Sequence, residues 1–272
     1  MSAAAQGGTP LVDTHFHVYT RDMPLSATAW HKPPEDATIE RLIATLDAHG
    51  VQFGVLAPAS LYGDYNEYTR EALRRHPKRL RASAIVKADA SPALLRGLRD
   101  DGFIGVRFQF RDRAEPPDLQ SLVYQKLLKQ VADLGWVVHL HDHGARLPAA
   151  IAAIEPFGVK LIVEHFGRPT QELGVRCPGF RAVLAAVERG RTWVKLSAGF
   201  RLGPPDAPSS YAKKLLEVAG GERLMWGSDW PFAAFEDKVK YADTVAAFHE
   251  WVPDPATRKK IASETPLKLY FN

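Results

Sequence analysis

Residues 12–19 read VDTHFHVY, an apolar-to-polar alternation that runs into two histidines one residue apart. Successive side chains of a strand face opposite sides, so His15 and His17 share one face near the strand's end. A single His-x-His serves equally as a metal pair, a substrate contact or an ordinary polar strand end. What matters is whether other strands end the same way.

Short segments rich in Val, Ile and aromatic residues recur at 11–17, 53–59, 80–86, 104–110, 137–142, 159–166, 192–198 and 223–229, the composition of strands buried on both faces. Helical patterns lie between them. Residues 38–50 put Ile39, Leu42, Ile43 and Leu46 on one stripe and stop at Gly50. Residues 91–102 open with a Ser cap and a Pro at the first helical position. Residues 122–135, 179–190, 211–221 and 237–252 repeat apolar residues at intervals of three and four. Eight strands, each followed by a helix, predict a single-domain (β/α)8 TIM barrel over residues 11–272, behind a flexible tail at 1–10. The competing architecture is an open doubly wound sheet, but no Gly-x-Gly-x-x-Gly follows any strand.

The chain has 272 residues, 46% hydrophobic and 24% charged, which is enough to bury a core without staples. The lone cysteine, Cys177, excludes an internal disulfide and predicts a reducing, cytoplasmic setting. No apolar run approaches about 18 residues and no basic start precedes an apolar stretch, so neither a membrane span nor a secretory signal is expected. The net charge of +4 is spread through the helices, which argues against a nucleic-acid surface and for a small anionic substrate. A monomer and a homodimer are both compatible with the chain.

In such a barrel, chemistry gathers where the strands end. The first strand ends in His15 and His17. The fourth carries Arg107 with Gln109, and the fifth carries His139 and His141. The sixth ends in His165 followed by Arg168, and the eighth in Asp229. Taken singly, each has an ordinary structural reading: Asp229 as a helix cap, Arg107 as the partner of a rim carboxylate. Jointly they predict one cavity. His15, His17, His141 and Asp229 could hold one divalent ion with an open position. No lysine or glutamate stands out as a bridge for a second ion.

The segments DTHFH (13–17), GFIGVRFQF (102–110), EHFGRP (164–169), WVKLSAGFRL (193–202) and LMWGSDWP (224–231) resemble the amidohydrolase superfamily. Within it they are most similar to the hydrolases of the 2-pyrone-4,6-dicarboxylate lactonase type, from about residue 11 to the terminal TPLKLYFN. The resemblance implies a hydrolase that opens a small carboxylated lactone, either pyrone-dicarboxylate-like or a sugar-acid lactone, often without a metal. The first expectation is therefore no cofactor, with one Zn or Mn ion as the alternative. By the same resemblance Asp229 is the general base for water, and His15, His17 and His165 polarise the carbonyl. Arg107, Arg113, Arg168 and Arg201 hold substrate carboxylates, with Ser60, His31 and His141 as further contacts. His141 stands where the pyrone dicarboxylate lactonase has a tyrosine, and residues 111–118 match loosely; both departures count against that compound itself. Burial is expected to raise the aspartate toward neutrality, as suits a base, and the arginine fork matches a carboxylate. The alternatives are a metal-dependent amide hydrolase or decarboxylase, a lactone isomerase, and a carboxylate-binding module without turnover.

Overall fold

The computed structural model describes residues 11–272, so the expected tail at 1–10 lies outside the described residues. Eight strands form one parallel sheet in chain order. They are β1 (Val12–Phe16), β2 (Phe53–Leu56), β3 (Leu80–Ala84), β4 (Phe103–Gln109), β5 (Val137–His141), β6 (Lys160–Val163), β7 (Thr192–Ser197) and β8 (Leu224–Gly227). The sheet closes on itself. The Asp229 N–H donates to the His15 carbonyl at 2.8 Å, and the His17 N–H donates to the Trp230 carbonyl at 2.8 Å. This is the expected (β/α)8 barrel.

Eight helices alternate with the strands: α1 (Ile39–Ala48), α2 (Glu67–Arg75), α3 (Pro92–Asp100), α4 (Leu122–Asp133), α5 (Leu147–Ile154), α6 (Pro178–Glu188), α7 (Ala207–Ala219) and α8 (Tyr241–Trp251). Two short ones follow, α9 (Pro255–Lys259) and α10 (Thr265–Tyr270). The caps behave as read: the Leu94 N–H donates to Ser91 Oγ at 3.2 Å, and the Arg41 N–H to Thr38 Oγ1 at 3.2 Å. Two of the eight barrel helices, and the short α9 and α10, have no counterpart among the sequence expectations. In α2, EYTREALRR buries only Thr69, Ala72 and Leu73, too little apolar surface to mark a stripe. In α5, LPAAIAAI is apolar nearly all round, so it shows no periodicity either.

The barrel interior is layered. At its base Val55, Val137, Ile162 and Met225 pack together, and Tyr270 of α10 joins them. A polar layer lies above: His15, His139, Glu164 and Lys195 are each no more than 1% exposed. The closing seam is tight. A Cβ on Gly227 would fall 2.6 Å from His15 Cβ and 2.9 Å from its backbone nitrogen, so β8 reaches β1 only through a glycine.

Asp13 stitches the same seam. Its Oδ1 accepts from the backbone N–H groups of His15 at 3.1 Å and Ser228 at 3.0 Å, and its Oδ2 accepts from the Tyr241 hydroxyl of α8 at 2.8 Å. Burial pushes this carboxyl up to about 6 against those hydrogen bonds. Tyr241→Phe removes the Tyr241 donor from Asp13 Oδ2 in a dry site and should cost about 1–3 kcal/mol. The urea unfolding midpoint measures this; an unchanged midpoint would show that the bond adds nothing to closure.

Candidate active site

The strand ends turn sharply where the predicted residues stand. His165 (φ 52°), Arg168 (φ 43°), Ala198 (φ 54°) and Asp229 (φ 65°) all adopt left-handed backbone conformations, after β6, β7 and β8. Non-glycine residues there are strained by roughly 1–3 kcal/mol each, and such strain gathers at functional sites. Sequence segments expected as strand to residues 166, 198 and 229 therefore leave the sheet early.

Asp229 is the hub. Its Oδ1 lies 3.4 Å from His15 Nε2, 3.4 Å from His17 Nε2 and 3.9 Å from His165 Nε2. Its Oδ2 accepts from Arg201 Nε at 2.7 Å. Each ring is held from behind. His17 Nδ1 lies 2.6 Å from the Ala57 carbonyl, which can only accept, so Nδ1 donates there and Nε2 is the nitrogen that faces Asp229. His165 Nδ1 lies 2.8 Å from Ser197 Oγ. His15 Nδ1 lies 3.1 Å from Lys195 Nζ and 3.4 Å from Glu164 Oε1.

Glu164, just past β6, and Lys195, on β7, are functional candidates that the sequence reading did not single out. Glu164 accepts from Arg107 Nε at 3.0 Å and from an Arg107 terminal nitrogen at 2.8 Å; Lys195 Nζ and His139 Nδ1 lie 3.5 Å from it. Burial pushes the Glu164 carboxyl up, but Arg107, His15 and Lys195 outweigh it and hold it well below the usual range. Burial lowers Lys195 to about 8 against the pull of Glu164. The available signal was a charged residue at mid-strand in TWVKLS and at the end of KLIVE, each inside an apolar run.

A cavity opens above this layer. It is lined by His17, His141, His165 and Asp229, by Ser60 and Gln109, and by Arg107, Arg111, Arg168 and Arg201. The segment between Tyr19 and Ala37 is pinned at its neck by a two-way backbone pair at 2.9 Å. It sets Trp30 on the cavity wall, hydrogen-bonded to Ser60 Oγ at 3.3 Å and under the Arg111 guanidinium, 5.3 Å from the ring centroid.

Several expectations change. Arg113 is exposed and stacks on Phe110, outside the cavity wall; Arg111 lines it instead. His31 pairs with Glu236 at 2.7 Å rather than lining the cavity. Arg107 and Arg201 border the cavity, but their forks are engaged by Glu164 and Asp229. Arg168 makes no ion pair among the described residues; burial, with Arg111 and Arg201 nearby, lowers it to about 10. His15 is fully buried and lies behind Asp229, not on the wall. Asp229 is not raised toward neutrality. Burial pushes it up, but Arg201, His17, His165 and His15 together hold it well below the ordinary carboxylate range.

Part of this geometry suits a divalent ion. Ligands about 2.0–2.2 Å from a tetrahedral zinc lie roughly 3.3 Å apart. Asp229 Oδ1 is 3.4 Å from both His15 Nε2 and His17 Nε2, and the three atoms lie within 4.8 Å of one another. His15 Nε2 has no hydrogen-bond partner. These three residues fit one ion. His141 is not in the group, so the expected four-ligand set shrinks to three. Its Nδ1 lies 3.4 Å from an Arg107 nitrogen instead.

The sequence profile of the amidohydrolase family matches residues 12–271. The chain is 26% identical over 268 residues to a 4-sulfomuconolactone hydrolase of Hydrogenophaga intermedia, covering 95% of this chain and 88% of that protein. It is 27% identical over 279 residues to a 2-pyrone-4,6-dicarboxylate hydrolase of Comamonas testosteroni, covering 96% and 90%. A crystal structure from Acinetobacter baumannii, described as a probable 2-pyrone-4,6-dicarboxylic acid hydrolase with citric acid bound, superposes with a TM-score of 0.92 at 28% identity over 97% of this chain and 100% of that one.

The buried histidines set a pH dependence. Burial lowers His139 to about 4 and His165 to about 3, and holds His15 and His141 well below 6.5. The unfolded chain therefore takes up protons below 6.5 that the folded chain refuses, so stability is full above that value and drains as pH falls through the window. Glu164 and Asp229 extend the loss below 4.5 and 3.8. Asp13 opposes it: its contribution is full below 3.8 and lost as pH rises through about 6. Four histidines outweigh the two carboxyls that burial raises, Asp13 and Asp142, so the urea midpoint should be lower at about pH 5 than at about pH 7. A flat or rising midpoint would contradict neutral burial of these rings.

Proposed function

The chain belongs to the amidohydrolase family, and on that premise we propose that it is a hydrolase that opens a small anionic lactone. The observation that carries this reading is an ionised carboxylate, Asp229, ringed by three imidazole nitrogens beneath a wall that holds Arg168 without an ion-pair partner. The related hydrolases act on lactones, and the Acinetobacter relative holds a tricarboxylate, citric acid.

A substrate carboxylate or sulfonate pairs with Arg168, where the planar fork gives two parallel hydrogen bonds. Asp229 takes a proton from water as the water oxygen adds to the lactone carbonyl carbon. The carbonyl oxygen becomes an oxyanion and needs donors. His141 is one. Arg107 can only donate, so His141 Nδ1 is an acceptor and its proton sits on Nε2, a buried nitrogen without a partner on a residue that borders the cavity. His165 is the second when Ser197 donates to its Nδ1. The ring C–O bond then breaks, and the leaving oxygen takes the proton from Asp229. One water is consumed and an open-chain acid is released.

An aspartate held below its ordinary range is a weak base in the empty site. The bound anion cancels part of the positive field of Arg168 and Arg201, so substrate binding itself strengthens the base. A divalent ion held by His15, His17 and Asp229 would supply Lewis acidity and a more acidic water. A cytoplasmic setting accords with the buried free thiol of Cys177, and no helix among the described residues is long and apolar enough to cross a membrane.

Acid release from 2-pyrone-4,6-dicarboxylate and from 4-sulfomuconolactone tests the reading; turnover of neither would overturn it. Asp229→Asn should lower kcat roughly 100-fold or more, and an unchanged kcat would remove Asp229 from the proton transfer. Arg168→Ala should raise KM about 10-fold or more with little change in kcat. An unaltered KM would end its role as the anion anchor.

A further inference from the structure

Lys195 lies below the cavity, fully buried in the middle of β7, and touches no part of the wall. Its Nζ is 3.1 Å from His15 Nδ1 and 3.5 Å from Glu164 Oε1. An ammonium has three protons and no lone pair, so the ring nitrogen facing it must accept. A neutral imidazole carries one proton, which then sits on Nε2. That nitrogen faces Asp229 Oδ1 at 3.4 Å.

The opposite arrangement is also within reach. Glu164 Oε1 lies 3.4 Å from the same His15 Nδ1. Were the carboxylate the partner, Nδ1 would hold the proton and Nε2 would offer a lone pair, the form in which a histidine ligates a metal. Two features favour the ammonium. It is the nearer group, and Glu164 already receives Arg107 at 2.8 and 3.0 Å.

We propose that Lys195 is a positioning residue that keeps His15 in its Nε2–H form, so that the Nε2 proton faces Asp229 and the triad of His15, His17 and Asp229 resists a divalent ion whose geometry it would otherwise suit. Arg107 does the same for His141 from the other side of Glu164. One carboxylate thus holds two cations, and each fixes the tautomer of one histidine. This deepens the reading of Asp229 as the base, yet its tautomer and zinc tests need no substrate.

Nitrogen-15 NMR of histidine-labelled protein reports the tautomer of His15 directly. The Nε2–H form is expected in the unaltered protein, and an Nδ1–H form would overturn the proposal whether or not any variant folds. Lys195→Met keeps the length and removes the donor. His15 should then turn its Nδ1 proton to Glu164, and calorimetric titration with zinc chloride should show affinity at least about 10-fold tighter than in the unaltered protein. Lys195→Arg, which still donates, should keep the Nε2–H form and the weaker zinc binding. In the lactone assay Lys195→Met should lower kcat while KM stays within about twofold. Equal zinc affinity in the unaltered protein and Lys195→Met would overturn the proposal. Loss of the tautomer and zinc results would sink this inference alone, whereas absent lactone turnover would sink the functional reading alone.

Discussion

A carboxylate without access to water, Glu164, is the constraint around which this barrel's interior is arranged. Burying such a group costs several kcal/mol unless cations and hydrogen bonds surround it. Arg107 and Lys195 supply the charge, and His15 and His139 crowd the remaining oxygen. Two cations for one anion leave N–H groups over. Those point upward, at His141 and His15. The floor of the site is therefore prepared from beneath, and the protonation pattern on the rings follows from an ion cluster that does not itself need to meet a substrate.

Above that layer the geometry is set by closure. Only where β8 returns to β1, through Gly227, does the Asp229 carboxylate come within 3.4 Å of two imidazoles more than two hundred residues earlier in the chain. The left-handed turns at His165, Arg168 and Asp229 accompany side chains that line the cavity. The pinned loop bearing Trp30 narrows the opening. Rigid strands fix the reacting groups, while loops shape the entrance, the division of labour that lets one barrel host many substrates.

The electrostatics of the site run against a simple picture of a buried base. Desolvation alone would raise Asp229, but Arg201 and the surrounding rings reverse the sign. Arg201 is thus engaged in holding the carboxylate in place and is not free to anchor a substrate. In the proposed reaction the anion-binding role falls to Arg168, whose guanidinium meets no carboxylate among the described residues. Arginines occupy three settings here: Arg107 within the core cluster, Arg201 on the Asp229 carboxylate, Arg168 on the cavity wall.

The sequence by itself determined the barrel and the strand ends at which His15, His17, Arg107, His141, His165 and Asp229 stand. Alternation and periodicity are local properties, and eight apolar segments with His15, His17, His165 and Asp229 at their ends can be read without knowing any partner. Helices α2 and α5 were not legible, because their burial comes from neighbours and not from a stripe of their own. Lys195 and Glu164 hid inside apolar strand runs, and Arg111 could not be told from Arg113 by spacing along a loop. Only the tertiary structure decided that Arg107 and Arg201 are engaged within the protein, that His15 stands behind Asp229, and that His141 leaves the metal-shaped group. The physical reason is that a strand's pattern states the direction of a side chain, whereas its depth, charge partner and ring proton depend on what the closed barrel places across from it.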